Sequence, residues 1–261
     1  MTTMAGYSGA GFMALLRLGA LLSVSLVLAG CVTTGQPVPA PAPPPAPAAA
    51  GADGGRLSPQ DAARNFVTVV ERVEPVAERF CRQQAGPGQN CDLQIVVDRR
   101  RNLPPNAFQT IDEQGRPVVG FTLALIADAR NEDEIAFVLG HEASHHILGH
   151  IGRKQQGAEA GAVLGTMLGQ ATGADAATMK QWQSFGASIG ARRYSKEYEL
   201  EADALGARIA WYAGYDPVRG AGFFSRLPDP GDQFLGSHPP NAQRLQQVGA
   251  VVAGLERQAA Y

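Results

Sequence analysis

Residues 141–145 of the chain read His141-Glu-Ala-Ser-His145. Side chains four residues apart lie on one face of an α-helix, so His141 and His145 are able to bind one metal ion together. Glu142 lies near the same face, within reach of a water molecule at that ion. Two imidazoles with an adjacent carboxylate are typical of a zinc site that activates water for hydrolysis.

The residues before this motif indicate that it lies on an amphipathic helix. The segment 131–140 begins with polar and acidic residues and continues with apolar residues at helical spacing. The sequence therefore predicts a helix over about residues 132–150. The alternative, a solvated helix face that carries two histidines by chance, is disfavoured by this context.

A hydrolytic zinc site needs a third protein ligand and leaves its fourth position to water. The candidates are three acids on a second predicted helix, 194–212, namely Glu197, Glu199 and Glu201. Periodicity favours Glu199, because it shares a face with the small residues Ala202 and Gly206, which would let this helix approach the first one closely. Asp203 is one turn from Glu199, and we expect it to accept a hydrogen bond from a ligand imidazole.

Helical geometry predicts no metal contact for three other polar residues. Glu201 points about 200° away from Glu199, so we expect it to be a solvated surface charge. His146 and His150 lie about 100° and 140° around the helix from His145, and we expect them to be surface or packing residues.

The overall composition excludes one class of function. The chain has 261 residues, 22 Lys and Arg, 24 Asp and Glu, and a formal charge of −2. This balance gives no indication of nucleic-acid binding. The folded part is predicted to be one domain over residues 56–261, which is long enough to bury an adequate core.

The N-terminal residues 1–30 are predicted to be a signal peptide. They contain no acidic residue, and a short apolar segment leads to Leu28-Ala-Gly-Cys31. This ending resembles a bacterial lipobox, which implies that Cys31 is acylated. The residue after the cysteine is Val32 and not aspartate, and in this respect the chain resembles lipoproteins of the outer membrane. We therefore expect a lipid anchor at the periplasmic face of the outer membrane of a Gram-negative bacterium. Cleavage elsewhere, which would leave Cys31 as an ordinary thiol, is the alternative.

Residues 31–55 follow as a segment rich in proline and alanine. Seven of the 18 prolines lie within 36–47. Such a segment builds no core and is predicted to be an extended tether between the anchor and the folded domain, with plain disorder as the alternative.

The other two cysteines, Cys81 and Cys91, are predicted to form a disulfide. Disulfides persist in exported proteins, and Gly86-Pro-Gly88 provides a turn between the two positions. The bond would join the end of a helix to the start of a strand. Two free buried thiols are the alternative.

Other segments predict a mostly helical α+β fold with a small sheet. An initial helix begins at Ser58, strands are expected at 93–97 and 118–126, a loop at 104–108, a turn at 112–115, and a final helix from about 240 to 256. Residues 155–190 are rich in glycine and alanine, with Gly161, Gly165 and Gly169 at four-residue spacing. This spacing favours tight helix packing, and a lid or membrane-leaning segment is the alternative.

These motifs together resemble a known family. His141-Glu-x-x-His145 followed by Glu199-x-x-Ala-Asp203 is similar to HtpX-like and CAAX-prenyl-protease-like zinc metallopeptidases, and especially to their soluble periplasmic BepA-like and LoiP-like members. The resemblance covers most of 60–250. It implies a gluzincin-type domain with an H-E-x-x-H helix, one Zn²⁺ per chain and Glu199 as the third ligand.

Near the C-terminus, Ser237-His-Pro-Pro240 with Arg244 resembles the family's His-Pro element. The resemblance implies that His238 lies close to the metal, where it would be a fourth ligand that holds the site shut. A helix-capping or substrate-contacting role is the alternative. His238, Arg244 and Tyr194 are candidates for contacting the oxyanion.

The predicted activity is zinc-dependent hydrolysis of peptide bonds, with Glu142 as the general base. The expected substrates are unfolded or misassembled envelope proteins, which indicates quality control at the outer membrane; membrane contact is expected through the lipid anchor only. One alternative is a chaperone or assembly factor for outer-membrane proteins with a structural or latent metal site. Another is a zinc hydrolase that acts on a non-peptide bond, such as one in the cell wall.

Overall fold

Helices make up most of the part of the chain that the structure describes. The computed structural model describes residues 56–84, 86–193, 195–227 and 239–260. The elements, in chain order, are α1 (Pro59–Gln84), β1 (Gln94–Asp98), β2 (Ala107–Ile111), β3 (Pro117–Thr122), α2 (Leu123–Asp128), α3 (Glu132–Ile147), α4 (His150–Ala171), α5 (Ala176–Arg192), α6 (Ser195–Tyr212), α7 (Pro217–Ala221), a 3-10 helix (Gly222–Arg226) and α8 (Asn241–Ala259). This confirms the predicted mostly helical α+β fold with a small sheet.

The sheet has three strands in the order β1-β3-β2. β1 runs parallel to β3, and β2 runs antiparallel to it, so β2 is an outer strand. The predicted turn at 112–115 joins β2 to β3. Gly115 has a φ of 79°, which glycine adopts without steric cost, and the Arg116 N–H donates to Asp112 Oδ1 at 2.7 Å.

Two predictions about this region are wrong. The segment 118–126 is not one strand, because β3 ends at Thr122 and α2 follows at once. The Thr122 hydroxyl oxygen accepts from the Leu125 N–H at 3.2 Å and caps the new helix, which an apolar run of residues does not reveal. The expected loop at 104–108 is shorter than predicted, because β2 begins at Ala107; the resemblance of 105–108 to the family's segment that enters its edge strand fits this position.

α3 lies at the centre of the domain and packs against α1, α6, α7 and the sheet. Asn131 caps its N-terminus by accepting from the Glu134 N–H at 3.0 Å. Two buried acids in its first turn bind arginines from the C-terminal part: Asp133 binds Arg219, and Glu134 binds Arg226 through both carboxylate oxygens. These pairs fix the position of the helix that carries the H-E-x-x-H motif.

The predicted extent of this helix, to about residue 150, is wrong at its C-terminal end. α3 ends at Ile147, and Gly149 adopts a left-handed φ of 66° that turns the chain. His150 therefore begins α4 and does not continue α3.

The predicted disulfide between Cys81 and Cys91 is present, with the two Cα atoms 5.6 Å apart. It joins the last part of α1 to the segment before β1, as expected. Cys81 is fully buried in the core. The bond thus ties the N-terminal helix to the sheet.

The glycine-rich segment forms two helices, α4 and α5, which pack closely on each other. A Cβ on Gly161 would overlap the carbonyl oxygen of Gly186, and a Cβ on Gly157 would meet that of Gly190 at 2.5 Å. This confirms the predicted tight helix packing. The pair also exposes large apolar side chains, namely Val163, Leu164, Met167, Leu168 and Phe185. Among the described residues, no helix has the length and hydropathy needed to cross a membrane.

Candidate metal centre

α3 and α6 bring together the three predicted ligands. The Nε2 atoms of His141 and His145 are 3.1 Å apart. Oε2 of Glu199 lies 3.5 Å from the His141 Nε2, and its Oε1 lies 3.5 Å from the His145 Nε2. One nitrogen or oxygen of each side chain therefore faces a common point.

The spacing of these atoms fits a zinc ion. Tetrahedral bonds of about 2.0–2.1 Å place neighbouring ligand atoms roughly 3.3 Å apart, and the observed distances lie on both sides of that value. Within the described residues, His141, His145 and Glu199 form the group of His, Cys, Asp or Glu side chains that could hold a metal ion. Two imidazoles and a carboxylate are also the donor set of a catalytic zinc site.

The electrostatics of the cluster favour a cation at its centre. Burial disfavours a charge on His141, but hydrogen bonds to Asp203 and Glu199 outweigh burial and raise its pKa to about 9. Burial and the neighbouring His141 lower the pKa of His145 to about 2. The buried carboxylates thus stabilise one positive charge, and a second imidazole remains neutral with a lone pair available.

Asp203 occupies the position that periodicity predicts. Its Oδ1 lies 2.9 Å from the His141 Nδ1, on the side of the ring away from the ligand cluster. The carboxylate is fully buried, and Arg244 donates to both of its oxygens at 2.7 and 2.8 Å. Asp203 therefore holds the His141 ring with its Nε2 turned toward Glu199.

Arg244 is held in place mainly by Asp203. Its guanidinium carbon also lies 3.5 Å from the centre of the Phe224 ring, and one of its nitrogens is 3.7 Å from the Glu199 Oε2. Its predicted contact with an oxyanion stays a prediction. His238 and Tyr194, the other candidates for this role, lie outside the described residues, as does Cys31.

Glu142 lines the same cleft as the three ligands. Burial raises its pKa above the usual glutamate value, and the charge on Glu199 adds to this effect, whereas His141 and Arg244 oppose it. A carboxylate with a raised pKa is suited to accept and return a proton near neutral pH. The arrangement places a base beside the ligand cluster.

The cleft is bounded by the outer strand on one side and by helices on the other. Ala107 and Gln109 of β2 line it, together with residues from the segment before this strand and from the C-terminal part. Further lining residues are Pro105, Asn106, Leu125, Val138, Phe223, Phe224 and Leu227.

Two polar residues next to this site make contacts that the sequence did not predict. Glu201 is exposed, as predicted, but its carboxylate also accepts from Arg153 at 2.6 Å and lies 3.1 Å from the His150 Nε2. His150 is buried, but its Nδ1 lies 2.8 Å from the Nδ1 of His145. The contact between His150 and His145 was not predicted, because the chain turns at Gly149 and His150 begins a new helix. A glycine at this point was the available signal for a helix end.

His146 fits its prediction as a packing residue. It is buried, and its Nε2 hydrogen-bonds the backbone oxygen of Asn90 at 2.6 Å. Its ring therefore contacts the segment near the disulfide.

Comparison with known proteins identifies the family. No curated protein matches the chain significantly. The model of peptidase family M48 matches residues 68–252, which is more than half of the chain and includes His141, Glu142, His145 and Glu199. The predicted metallopeptidase family is confirmed, whereas the lipoprotein branch stays a prediction. The chain therefore belongs to peptidase family M48, a family of metallopeptidases.

Proposed function

We propose that the chain is a zinc-dependent endopeptidase that cleaves unfolded or misassembled envelope proteins at the periplasmic face of the outer membrane. The observation that carries the proposal is the cluster of His141, His145 and Glu199 with Glu142 beside it in one cleft. When bound by these three residues, zinc would supply a Lewis acid and lower the pKa of water toward neutrality.

The residues of the cleft have distinct roles in this proposal. Glu142 takes the proton from the attacking water and returns it to the leaving amine, so that one carboxylate acts first as base and then as acid. Asp203 keeps the His141 Nε2 directed at the ligand cluster.

The position of strand β2 at the edge of the cleft supports the proposed endopeptidase activity. Within the described part of the chain, β2 pairs with β3 on one side and has no strand on the other, and its residues Ala107 and Gln109 line the cleft. An extended substrate strand that paired with β2 would be bound through backbone hydrogen bonds, which require neither a chain terminus nor a particular sequence. Such binding suits substrates that have exposed, unpaired segments.

The proposed location rests on the N-terminal sequence, with acylation at Cys31 and the segment 31–55 as the tether. Metabolic labelling with palmitate tests it: the wild-type chain is expected to incorporate label and to fractionate with outer membranes. The Cys31→Ser variant is expected to do neither. Equal labelling of both would overturn the proposed anchor.

The activity is tested with the Glu142→Gln variant. We expect this variant to bind zinc like the wild type and to lose cleavage of casein and of an unfolded outer-membrane protein. Cleavage that survives the change would contradict the proposed mechanism. Rescue of a deletion strain by Glu142→Gln would instead favour a chaperone or assembly role, and digestion of peptidoglycan would favour the cell-wall alternative.

A further inference from the structure

A chain of polar contacts runs outward from His145, on the side of its ring away from the ligand cluster. Its Nε2 faces Glu199, and its Nδ1 lies 2.8 Å from the Nδ1 of His150. The other nitrogen of His150, Nε2, is 3.1 Å from Oε2 of Glu201. Arg153 donates to that same oxygen at 2.6 Å. The contacts therefore connect α3, α4 and α6.

The hydrogen atoms have one consistent arrangement in this network when His145 binds a metal. The Nε2 of His145 then needs its lone pair, so the ring hydrogen is on Nδ1 and is donated to His150. His150 accepts at Nδ1 and carries its own hydrogen on Nε2, which it donates to Glu201. Arg153 keeps the Glu201 carboxylate ionised and correctly oriented.

The surroundings of His150 hold its ring firmly. The side chain is only 1% exposed to solvent. It stacks on the Tyr198 ring, with the ring centres 4.7 Å apart and an angle of 16° between the planes. The guanidinium carbon of Arg153 lies 4.2 Å from the centre of the Tyr198 ring. His150 is therefore a rigid partner for His145.

The two ligand histidines are thus supported in parallel ways. His141 contacts the carboxylate of Asp203 directly, and Arg244 binds that carboxylate. His145 reaches the carboxylate of Glu201 through the ring of His150, and Arg153 binds Glu201. In both cases a carboxylate paired with an arginine determines which ring nitrogen is left for the metal.

We propose that His150 and Glu201 are the positioning residues of His145, which fix its tautomer and ring orientation for metal binding. Neither residue contacts the ion. The inference rests on the proposed metal site at His141, His145 and Glu199. Groups that orient a ligand imidazole typically change metal affinity by about 10- to 100-fold when they are removed.

The test measures zinc affinity by competition with a chelator in purified full-length protein. His150→Phe keeps an aromatic ring against Tyr198 but removes both nitrogens, and we expect it to weaken zinc binding by about 10- to 100-fold. His150→Asn retains an oxygen acceptor near the position of Nδ1, and we expect it to recover part of the loss. His146→Asn is the matched control, because it alters a buried histidine that binds Asn90, and its zinc affinity should equal that of the wild type.

A second readout separates positioning from general stability. The absorption spectrum of the cobalt-substituted protein reports ligand geometry, and we expect it to change in His150→Phe and to be unchanged in His146→Asn. Glu201→Gln alters a partly exposed residue and is expected to weaken zinc binding in the same direction, with little effect on the melting temperature of the metal-free protein. If His150→Phe does not fold, the zinc affinity of Glu201→Gln decides whether these residues position His145.

The outcomes distinguish this inference from the proposed function. Wild-type zinc affinity and an unchanged cobalt spectrum in both His150→Phe and Glu201→Gln would overturn the positioning role alone. If His150→Phe does not fold, the same result in Glu201→Gln is enough to overturn it. A wild-type chain that binds no zinc would overturn both the metal site and this inference.

Discussion

Gly140 of α3 and Gly206 of α6 lie so close together that a Cβ on Gly140 would be 2.8 Å from the carbonyl oxygen of Gly206. A Cβ on Gly206 would be 2.7 Å from the backbone nitrogen of His141. The two helices that supply the ligands therefore meet backbone to backbone. This close approach brings Glu199 within reach of both histidines.

The first prediction follows from this contact. We expect Gly206→Ala to push α6 away from α3, which costs about 1–3 kcal/mol of stability and weakens zinc binding. The control is Gly249→Ala in α8, where a Cβ meets nothing within 4 Å, and we expect that change to be neutral or stabilising. Melting temperature and zinc affinity are measured for both variants. Equal melting temperatures and equal zinc affinities would contradict the role of the contact between Gly140 and Gly206.

The second prediction concerns Arg244 and Asp203. Arg244→Ala leaves the buried Asp203 carboxylate without its bidentate partner, and we expect a loss of about 3–5 kcal/mol in the free energy of unfolding. Arg244→Lys should restore only part of this, because an ammonium group does not make the same two parallel bonds.

The control for this prediction lies in the same helix. Arg257→Ala removes an exposed arginine from α8, and we expect it to change stability by less than about 0.5 kcal/mol. Urea unfolding of the metal-free proteins provides the measurement. A small loss of stability in Arg244→Ala, similar to that in Arg257→Ala, would contradict the prediction. It would show that the buried Asp203 carboxylate does not need Arg244 as its partner.

The third prediction concerns the disulfide. Cys81 and Cys91 are separated by 10 residues, and closing a loop of this length stabilises a fold by about 2–3 kcal/mol. We expect the double Cys-to-Ala variant to lose a similar amount in denaturant unfolding. Reductant should destabilise the wild type and leave the double variant unchanged, and a wild type that is insensitive to reductant would contradict the prediction.

The fourth prediction tests the packing of α4 on α5. Gly161→Ala is expected to separate these helices, because the added carbon overlaps Gly186, and to increase hydrogen exchange in both. Gly152→Ala is the control, since a Cβ there meets nothing within 4 Å. We expect zinc affinity to be kept in both variants. A loss of zinc binding in Gly161→Ala would mean that this helix pair supports the site directly.

The sequence predicted the ligand cluster well, because each half of the site is encoded within one helix. The spacing of His141 and His145, and the face shared by Glu199 and Asp203, follow from helical periodicity alone. The small residue at Gly206 then indicated that the two helices approach closely. Local regularity was therefore enough to identify which side chains meet.

The contacts that connect His145 to His150 and Glu201 were not predictable in the same way. They depend on the turn at Gly149, which starts a new helix at His150, and on the packing of that helix near Glu201. A projection along a continuous helix puts His150 about 140° from His145 and therefore does not predict their contact. The start of α2 directly after Thr122 was missed because the capping side chain of Thr122 outweighs the apolar pattern.

The proposed chemistry requires that His141, His145 and Glu199 hold one zinc ion. The most direct measurement is an anomalous difference map, at the zinc absorption edge, from crystals of the zinc-loaded protein. We expect one peak per chain, bound by the Nε2 atoms of the two histidines and the Glu199 carboxylate at about 2.0–2.2 Å. A peak at other side chains, or no peak between α3 and α6 at full zinc occupancy, would contradict the account.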